Sequence, residues 1–264
     1  MSTGLLRPKP ASRALNDVAS VALEFGGLLM EAGSSARQAE EITIQVATGL
    51  GAEHIDTRLG YASLTVSVCA NSETVTRMRK LGAFGVNQRL FHGLCAAAEQ
   101  IGREGCTPAE ARSQLQRIVC SSPHYPGWTV AAAVGIACAA FARLLGVDWA
   151  GLGPTLVAST LAQAVRRQFA LRKVNVFISA TLVAFIGATL AGLGSRWAGS
   201  DTIVSAMMAT VLLLVPGVPF FNAQFDILEG RPTLGTARAV WIAVLLVFMT
   251  LGVWLAQGLI GEGR

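Results

Sequence analysis

The distribution of apolar residues divides the chain near residue 127. After Trp128, five apolar segments follow one another almost without interruption as far as Leu259. About 18 to 20 apolar residues cross the hydrocarbon core of a bilayer, whereas buried helices of soluble proteins rarely contain so long a run. The pattern therefore predicts an all-α transmembrane domain over residues 128–264, with spans at 128–145, 149–165, 174–193, 202–221 and 237–259.

The residues before this point have the composition of a soluble domain. Apolar residues recur at helical spacing from Ser12 to Glu31, which predicts a first helix that ends at Gly33. Ser35 and Gln38 have the spacing of a helix cap and predict the start of a second helix.

A strand and a further helix complete the predicted N-terminal domain. Residues 61–69 alternate between apolar and polar side chains, the period of a half-buried strand, and residues 54–58 and 73–79 are its predicted neighbours. Thr107-Pro108-Ala109-Glu110 is a capping box with proline at the first helical position, which predicts a helix to about Cys120. Residues 1–127 are therefore predicted to form an α+β domain.

Charge indicates how the chain is oriented in the membrane. Residues 1–127 hold 12 Lys or Arg against 11 Asp or Glu, and the remainder holds 9 against 5. Most of this basic surplus lies in the loop 166–173, and short basic loops face the cytoplasm. Residues 1–10 lack the apolar core of a signal sequence, so we expect the N-terminal domain to be cytoplasmic. A basic surplus in the membrane half is better explained by the orientation of the chain in the bilayer than by nucleic-acid binding.

The fourth apolar segment contains two prolines and a glycine. Pro216, Gly217 and Pro219 stand inside the run from Leu212 to Phe221. Proline removes a backbone donor and clashes with the preceding turn, so a broken helix is predicted here. Such breaks persist in membranes only where protein or a water-filled cavity satisfies the freed groups, and in transporters they often form the solute site.

Polar side chains near this break are candidate solute ligands. Asn222 and Asp226 follow it directly, Asn175 enters the third span at the same predicted level, and Gln163 makes the second span polar. The predicted substrate-binding set is Pro216, Gly217, Pro219, Asn222, Asp226, Asn175 and Gln163. A proline kink beside ordinary loop residues is the alternative. Glu31, Arg37, Glu40 and Glu41 are most simply interpreted as a solvated helix face.

Motifs for catalysis and cofactor binding are absent from the sequence. There is no phosphate-binding G-x-x-x-x-G-K-[ST] loop, no G-x-S-x-G elbow, and no histidine spacing typical of a metal site. The five cysteines show no C-x-x-C pair. We therefore expect neither an enzyme nor a cofactor.

Several of these segments together resemble the threonine/serine exporter family. The resemblance rests on residues 25–33 with Glu40-Glu41, Gly49-Leu50-Gly51, Tyr125-Pro126, and the run 213–219 with Asn222. Full-length members have about ten spans, so a chain with five resembles the split, YjjP-like form. The resemblance implies a small YjjB-like membrane subunit as partner, a bacterial inner-membrane location, and export of threonine, serine or a succinate-like dicarboxylate.

Two classes of function follow from these observations. The first is a secondary exporter subunit that works with a separate membrane partner, with a higher oligomer left open. The alternative is a membrane-anchored metabolite sensor or regulatory subunit without transport of its own. An intramembrane enzyme is the least favoured class, because no nucleophile–base pair or metal-ligand set stands within the spans.

Overall fold

The computed structural model describes residues 10–82, 84–122 and 125–261. Its elements are mostly helices, with one small sheet between the second and third of them. The chain divides into two compact units. The first unit comprises the described residues before Tyr125 together with Val218–Ala239, and the second comprises Tyr125–Gly217 and the described residues from Val240 onward.

The first unit is built from four helices and three strands before residue 125. They are α1 (Pro10–Glu31), α2 (Ala36–Gly49), β1 (His54–Leu59), β2 (Ser63–Ala70), β3 (Glu73–Lys80), α3 (Gln88–Glu104) and α4 (Pro108–Ser121). The sheet is antiparallel in the order β1-β2-β3, with Val66 of the central strand opposite Thr57 and Arg77. The predicted small sheet among helices is confirmed.

The core of the first unit lies between α1 and one face of the sheet. Leu64, Val66 and Val68 of β2 are fully buried, and they pack in one cluster with Phe25 and Leu29 of α1. The alternation in β2 places these three residues on the same face because successive side chains of a strand point to opposite sides. The predicted capping box is also present, since Thr107 and Glu110 exchange side-chain and backbone hydrogen bonds.

Helices make up the second unit. They are α5 (Gly127–Leu144), α6 (Trp149–Leu171), α7 (Val176–Trp197), α8 (Ile203–Val211) and most of α10 (Pro232–Ile260). Helix α9 (Gly217–Leu228) lies between α8 and α10 in the chain. From Val218 onward α9 belongs to the first unit, and so does the start of α10 as far as Ala239. The units are defined by packing and not by the bilayer, so the predicted membrane boundary at residue 127 stays a prediction.

Three described helices, α5, α7 and α10, are long and apolar enough to cross a membrane. A fourth crossing is obtained if α8 and α9, which are bent at the break between them, are counted as one span. The remaining predicted span corresponds to α6, which is a continuous helix of 23 residues but is not apolar enough to be counted. The predicted number of five spans is therefore not confirmed by helix length and composition.

Small residues allow the helices of the second unit to approach one another closely. The stripe Ala180, Ala184, Ala188 and Gly192 is buried along α7, as its four-residue spacing predicts. A side chain added at Gly192 would meet Met207 of α8 and Ile260 of α10. In lipid, where no hydrophobic force drives helices together, such close contacts supply the packing energy.

We expect Gly135→Ala to destabilise the second unit. A Cβ atom at Gly135 of α5 would lie 2.9 Å from the backbone carbonyl of Leu156 and against the Thr160 side chain, both in α6. The expected loss is about 1 to 3 kcal/mol, because the backbone cannot yield without moving a helix. Thermal unfolding of the full chain in detergent measures the effect. Gly153→Ala is the control, since nothing lies within 4 Å of its Cβ position, and equal stability of the two variants would contradict the prediction.

Candidate functional site

The predicted interruption of the fourth apolar segment is present. Helix α8 ends at Val211, Leu212–Leu214 form a single 3-10 turn, and α9 begins at Gly217. Val215 between them is extended, as expected of a residue that precedes proline. Pro219 lies in the first turn of α9, where a backbone N–H has no partner within the helix and its loss costs little.

The break changes the hydrogen bonding of the backbone around it. The amide of Val215 donates to the carbonyl of Leu212 over 3.0 Å, and the amide of Gly217 donates to that of Val215 over 2.9 Å. In a continuous helix the Gly217 amide would reach Leu213 instead. The Leu213 carbonyl accepts a 2.7 Å hydrogen bond from Nη1 of Arg166 in α6. A guanidinium group thus occupies the acceptor that the break releases.

Asn222 and Asp226 lie on one face of α9, because residues four apart are neighbours on a helix. The Asn222 side-chain amide donates to the carbonyls of Gly33 and Ser34 over 3.1 and 3.2 Å. Oδ1 of Asp226 accepts from the backbone amide of Ala36, the first residue of α2, over 3.4 Å. The turn between α1 and α2 therefore binds both predicted side chains.

Asp226 also forms an ion pair with Arg238 of α10. Oδ2 of Asp226 accepts from Nη1 of Arg238, and the two side chains are 0% and 7% exposed. The guanidinium group has further contacts with Sδ of Met30 at 3.9 Å and with the ring of Phe84, whose centroid is 5.9 Å from Cζ. All of these groups belong to the first unit. The pair links α9 and the start of α10 to α1.

Further ion pairs connect the end of α9 to α2. Glu40 accepts from Arg231, which follows α9, and from the hydroxyl of Thr57 over 2.7 Å. The interpretation of a solvated helix face was wrong for Glu40 and for Glu31, whose Oε1 accepts from the Gly82 amide over 2.8 Å. Their carboxylates have fixed partners within the first unit. For Arg37 and Glu41, which pair on the surface, the interpretation is confirmed.

The remaining predicted ligands belong to the second unit. Asn175 is the N-cap of α7, and its side chain accepts from the Phe177 amide over 2.9 Å. Gln163 lies in α6, with its Oε1 atom buried and without a hydrogen-bond partner in the part of the chain that the structure describes. Pro216 and Gly217 form the break itself. The predicted role of the whole set in binding a solute stays a prediction.

The sequence analysis counted Arg166 only within the basic loop 166–173 and did not single out Arg238. A charged residue within an apolar segment calls for a partner of opposite charge, and this signal could have identified Arg238, which lies inside the predicted fifth span. As to metals, no group of three or more His, Cys, Asp and Glu side chains comes together within residues 10–82, 84–122 and 125–261.

Comparison with known proteins decides the family. The family model described as "Putative threonine/serine exporter" matches residues 20–260, which include both units and the break. The chain belongs to the threonine/serine exporter family. No solved structure is significantly similar to it.

Two relatives carry the same descriptive name, "Probable succinate transporter subunit YjjP". One is from Klebsiella aerogenes, 28% identical over 237 residues that cover 88% of this chain and 90% of the relative. The other is from Escherichia coli K12, 28% identical over 243 residues that cover 90% of this chain and 93% of the relative. As a member of this exporter family, the chain is a membrane transport protein with several helices able to cross a bilayer.

We expect Asp226→Leu to destabilise the first unit by about 3 to 5 kcal/mol, because it leaves the buried Arg238 without a counter-charge. The double variant Asp226→Leu/Arg238→Leu should recover most of that loss, since it removes both charges. Urea titration of the full chain in micelles measures the free energy of unfolding.

The exposed pair between Arg37 and Glu41 supplies the matched control. Its side chains are 60% and 58% exposed, so Glu41→Leu should cost less than about 1 kcal/mol. If Asp226→Leu/Arg238→Leu loses as much free energy of unfolding as Asp226→Leu and Arg238→Leu combined, the two side chains are not coupled and the prediction is contradicted.

Proposed function

We propose that this chain is one subunit of a secondary exporter in the bacterial inner membrane. Its solute is a small amino acid such as threonine or serine, or a dicarboxylate such as succinate. A separate, small YjjB-like membrane protein completes the exporter. Family membership and the names of the two relatives support the proposal. The sequence contains no nucleotide-binding loop, and we propose that an ion or solute gradient drives export.

The observation that carries this proposal is the break between α8 and α9. A membrane protein that maintains non-helical backbone within an apolar segment must provide partners for its polar groups, and transporters use such segments to bind solutes. Here Arg166 provides one such partner for Leu213. The same guanidinium group has further donors, so polar backbone and positive charge are available together at the break.

We further propose that α6 crosses the membrane despite its polar residues. Its 23 residues give a length of about 34 Å, enough to span the hydrocarbon core. It packs against α5, α7 and α8 through one face, on which the polar side chains of Thr155 and Ser159 are buried. Five crossings would then place residues 166–173 and the N-terminal domain on the cytoplasmic side by the charge of the loops.

Substitution of the break tests the proposed function. In cells that lack both subunits, threonine, serine or succinate should accumulate, and expression of this chain with its partner should restore efflux. The double variant Pro216→Ala/Gly217→Ala should lower the rate of efflux at least about tenfold, because alanine supplies the missing donor and favours a continuous helix. Efflux of labelled solute from preloaded cells is the measurement.

Pro154→Ala is the matched control for this experiment. Pro154 lies inside α6 without interrupting it, so its replacement should leave efflux near the wild-type rate. Efflux that is unchanged in cells lacking both subunits would overturn the exporter proposal. Wild-type efflux by the Pro216→Ala/Gly217→Ala variant, at a normal amount of protein in the membrane, would show that the break is not required.

A further inference from the structure

Helix α6 has a line of polar side chains on one face. Thr155, Ser159, Gln163 and Arg166 follow one another at intervals of four, four and three residues, the spacing of neighbours on one side of a helix. Thr155 and Ser159 are fully buried. Because α6 packs against α5, α7 and α8, this line passes from the buried Thr155 and Ser159 through the half-buried Gln163 to Arg166, which is exposed and contacts the break.

Two of these side chains, Ser159 and Gln163, have weak or missing hydrogen-bond partners. Thr155 is satisfied, since its hydroxyl donates to the carbonyl of Gly151 over 2.8 Å. Oε1 of Gln163 is buried and has no partner among the described residues. The hydroxyl of Ser159 is buried with only the thiol of Cys138 in α5 beside it, and a thiol is a weak hydrogen-bonding group.

Such unsatisfied groups are unfavourable in a folded protein. Buried polar atoms nearly always have a partner, and each exception needs a physical explanation. In a membrane segment, polar side chains that face the bundle interior commonly line the path of a solute. A solute that supplies hydrogen bonds to Ser159 and Gln163 would satisfy both side chains.

Arg166 adds a positive charge one turn beyond Gln163. It uses Nη1 for the Leu213 carbonyl, and a guanidinium group has five N–H donors in all. The remaining donors match the geometry of a carboxylate. Gln163 and Arg166 are about 4.5 Å apart along the helix axis, so one small solute can reach both.

We infer that Ser159, Gln163 and Arg166 form the solute-binding site of α6. Arg166 binds a carboxylate of the solute, and Gln163 and Ser159 bind its second polar group. This inference rests on the proposed function and assigns residues to it. The required chemistry is a small carboxylate with another hydrogen-bonding group nearby, which threonine, serine and succinate share.

The test measures transport kinetics in inverted membrane vesicles that contain this chain and its partner. Uptake of labelled threonine, serine and succinate is followed in parallel. For the transported solute, Gln163→Ala should raise KM about 5-fold to 10-fold, as expected for one lost hydrogen bond, and Arg166→Gln should raise it more than about 10-fold, since a charge-assisted bond is lost. A rise confined to the amino acids or to succinate identifies which solute uses the site.

The controls are the same two substitutions at positions outside the site, one at Gln168 in α6 and one at Arg172, which follows α6 directly. Gln168 and Arg172 are exposed and lie outside the proposed site, so Gln168→Ala and Arg172→Gln should leave KM unchanged. The amount of each variant in the membrane is measured as well. If Gln163→Ala does not reach the membrane, Ser159→Ala takes its place, because it removes a single oxygen atom and should raise KM about 5-fold.

The outcomes separate this inference from the proposed function. If wild-type vesicles transport none of the three solutes, the proposed function fails. If they transport one and the Gln163, Ser159 and Arg166 variants keep the wild-type KM, the proposed function stands and this site is wrong. A lower maximal rate with an unchanged KM likewise overturns the site, because it shows that these side chains only hold helices together.

Discussion

The structure depends on the break before Pro216, which has no backbone N–H to continue the helix. Because of it the helix that begins at Ile203 ends, and the apolar surroundings do not allow the released carbonyl groups to remain without partners. The carbonyl of Leu213, which the Gly217 amide would reach in a continuous helix, instead accepts a hydrogen bond from Arg166. Arg166 belongs to α6, which is also a helix too polar to be counted as a membrane span by its composition.

The break is also where the chain passes from one compact unit to the other. Gly217 is the last residue of the second unit in this part of the chain, and Val218 begins the segment that belongs to the first. That segment is held to the first unit by the buried pair of Asp226 and Arg238 and by the hydrogen bonds of Asn222. A change in the turn between α1 and α2 would therefore act directly on α9.

The second unit combines two kinds of helix packing. Small residues on α5, α7 and α10 permit backbones to approach closely, as at Gly252, whose Cβ position lies against Thr181 and Ala184 of α7. Helix α6 adds a buried polar face that includes Ser159 and Gln163, and α7 buries the hydroxyls of Thr189 and Ser195 in the same unit. Close packing around such a face can maintain a polar path through an otherwise apolar bundle, which fits membership of a family of exporters.

Features that depend on residues close together in the chain can be predicted without a structure. Alternation at Leu64, Val66 and Val68, the capping box at Thr107 and the break at Pro216 follow from local geometry and backbone donors. Helix α3 was not predicted, although its buried residues, Leu94, Ala97, Ala98 and Ile101, have helical spacing. Only the tertiary structure paired Asp226 with Ala36 across 190 residues and Leu213 with Arg166 across 47. Any of several side chains can satisfy a buried charge or a free carbonyl, so only the folded chain decides which one does.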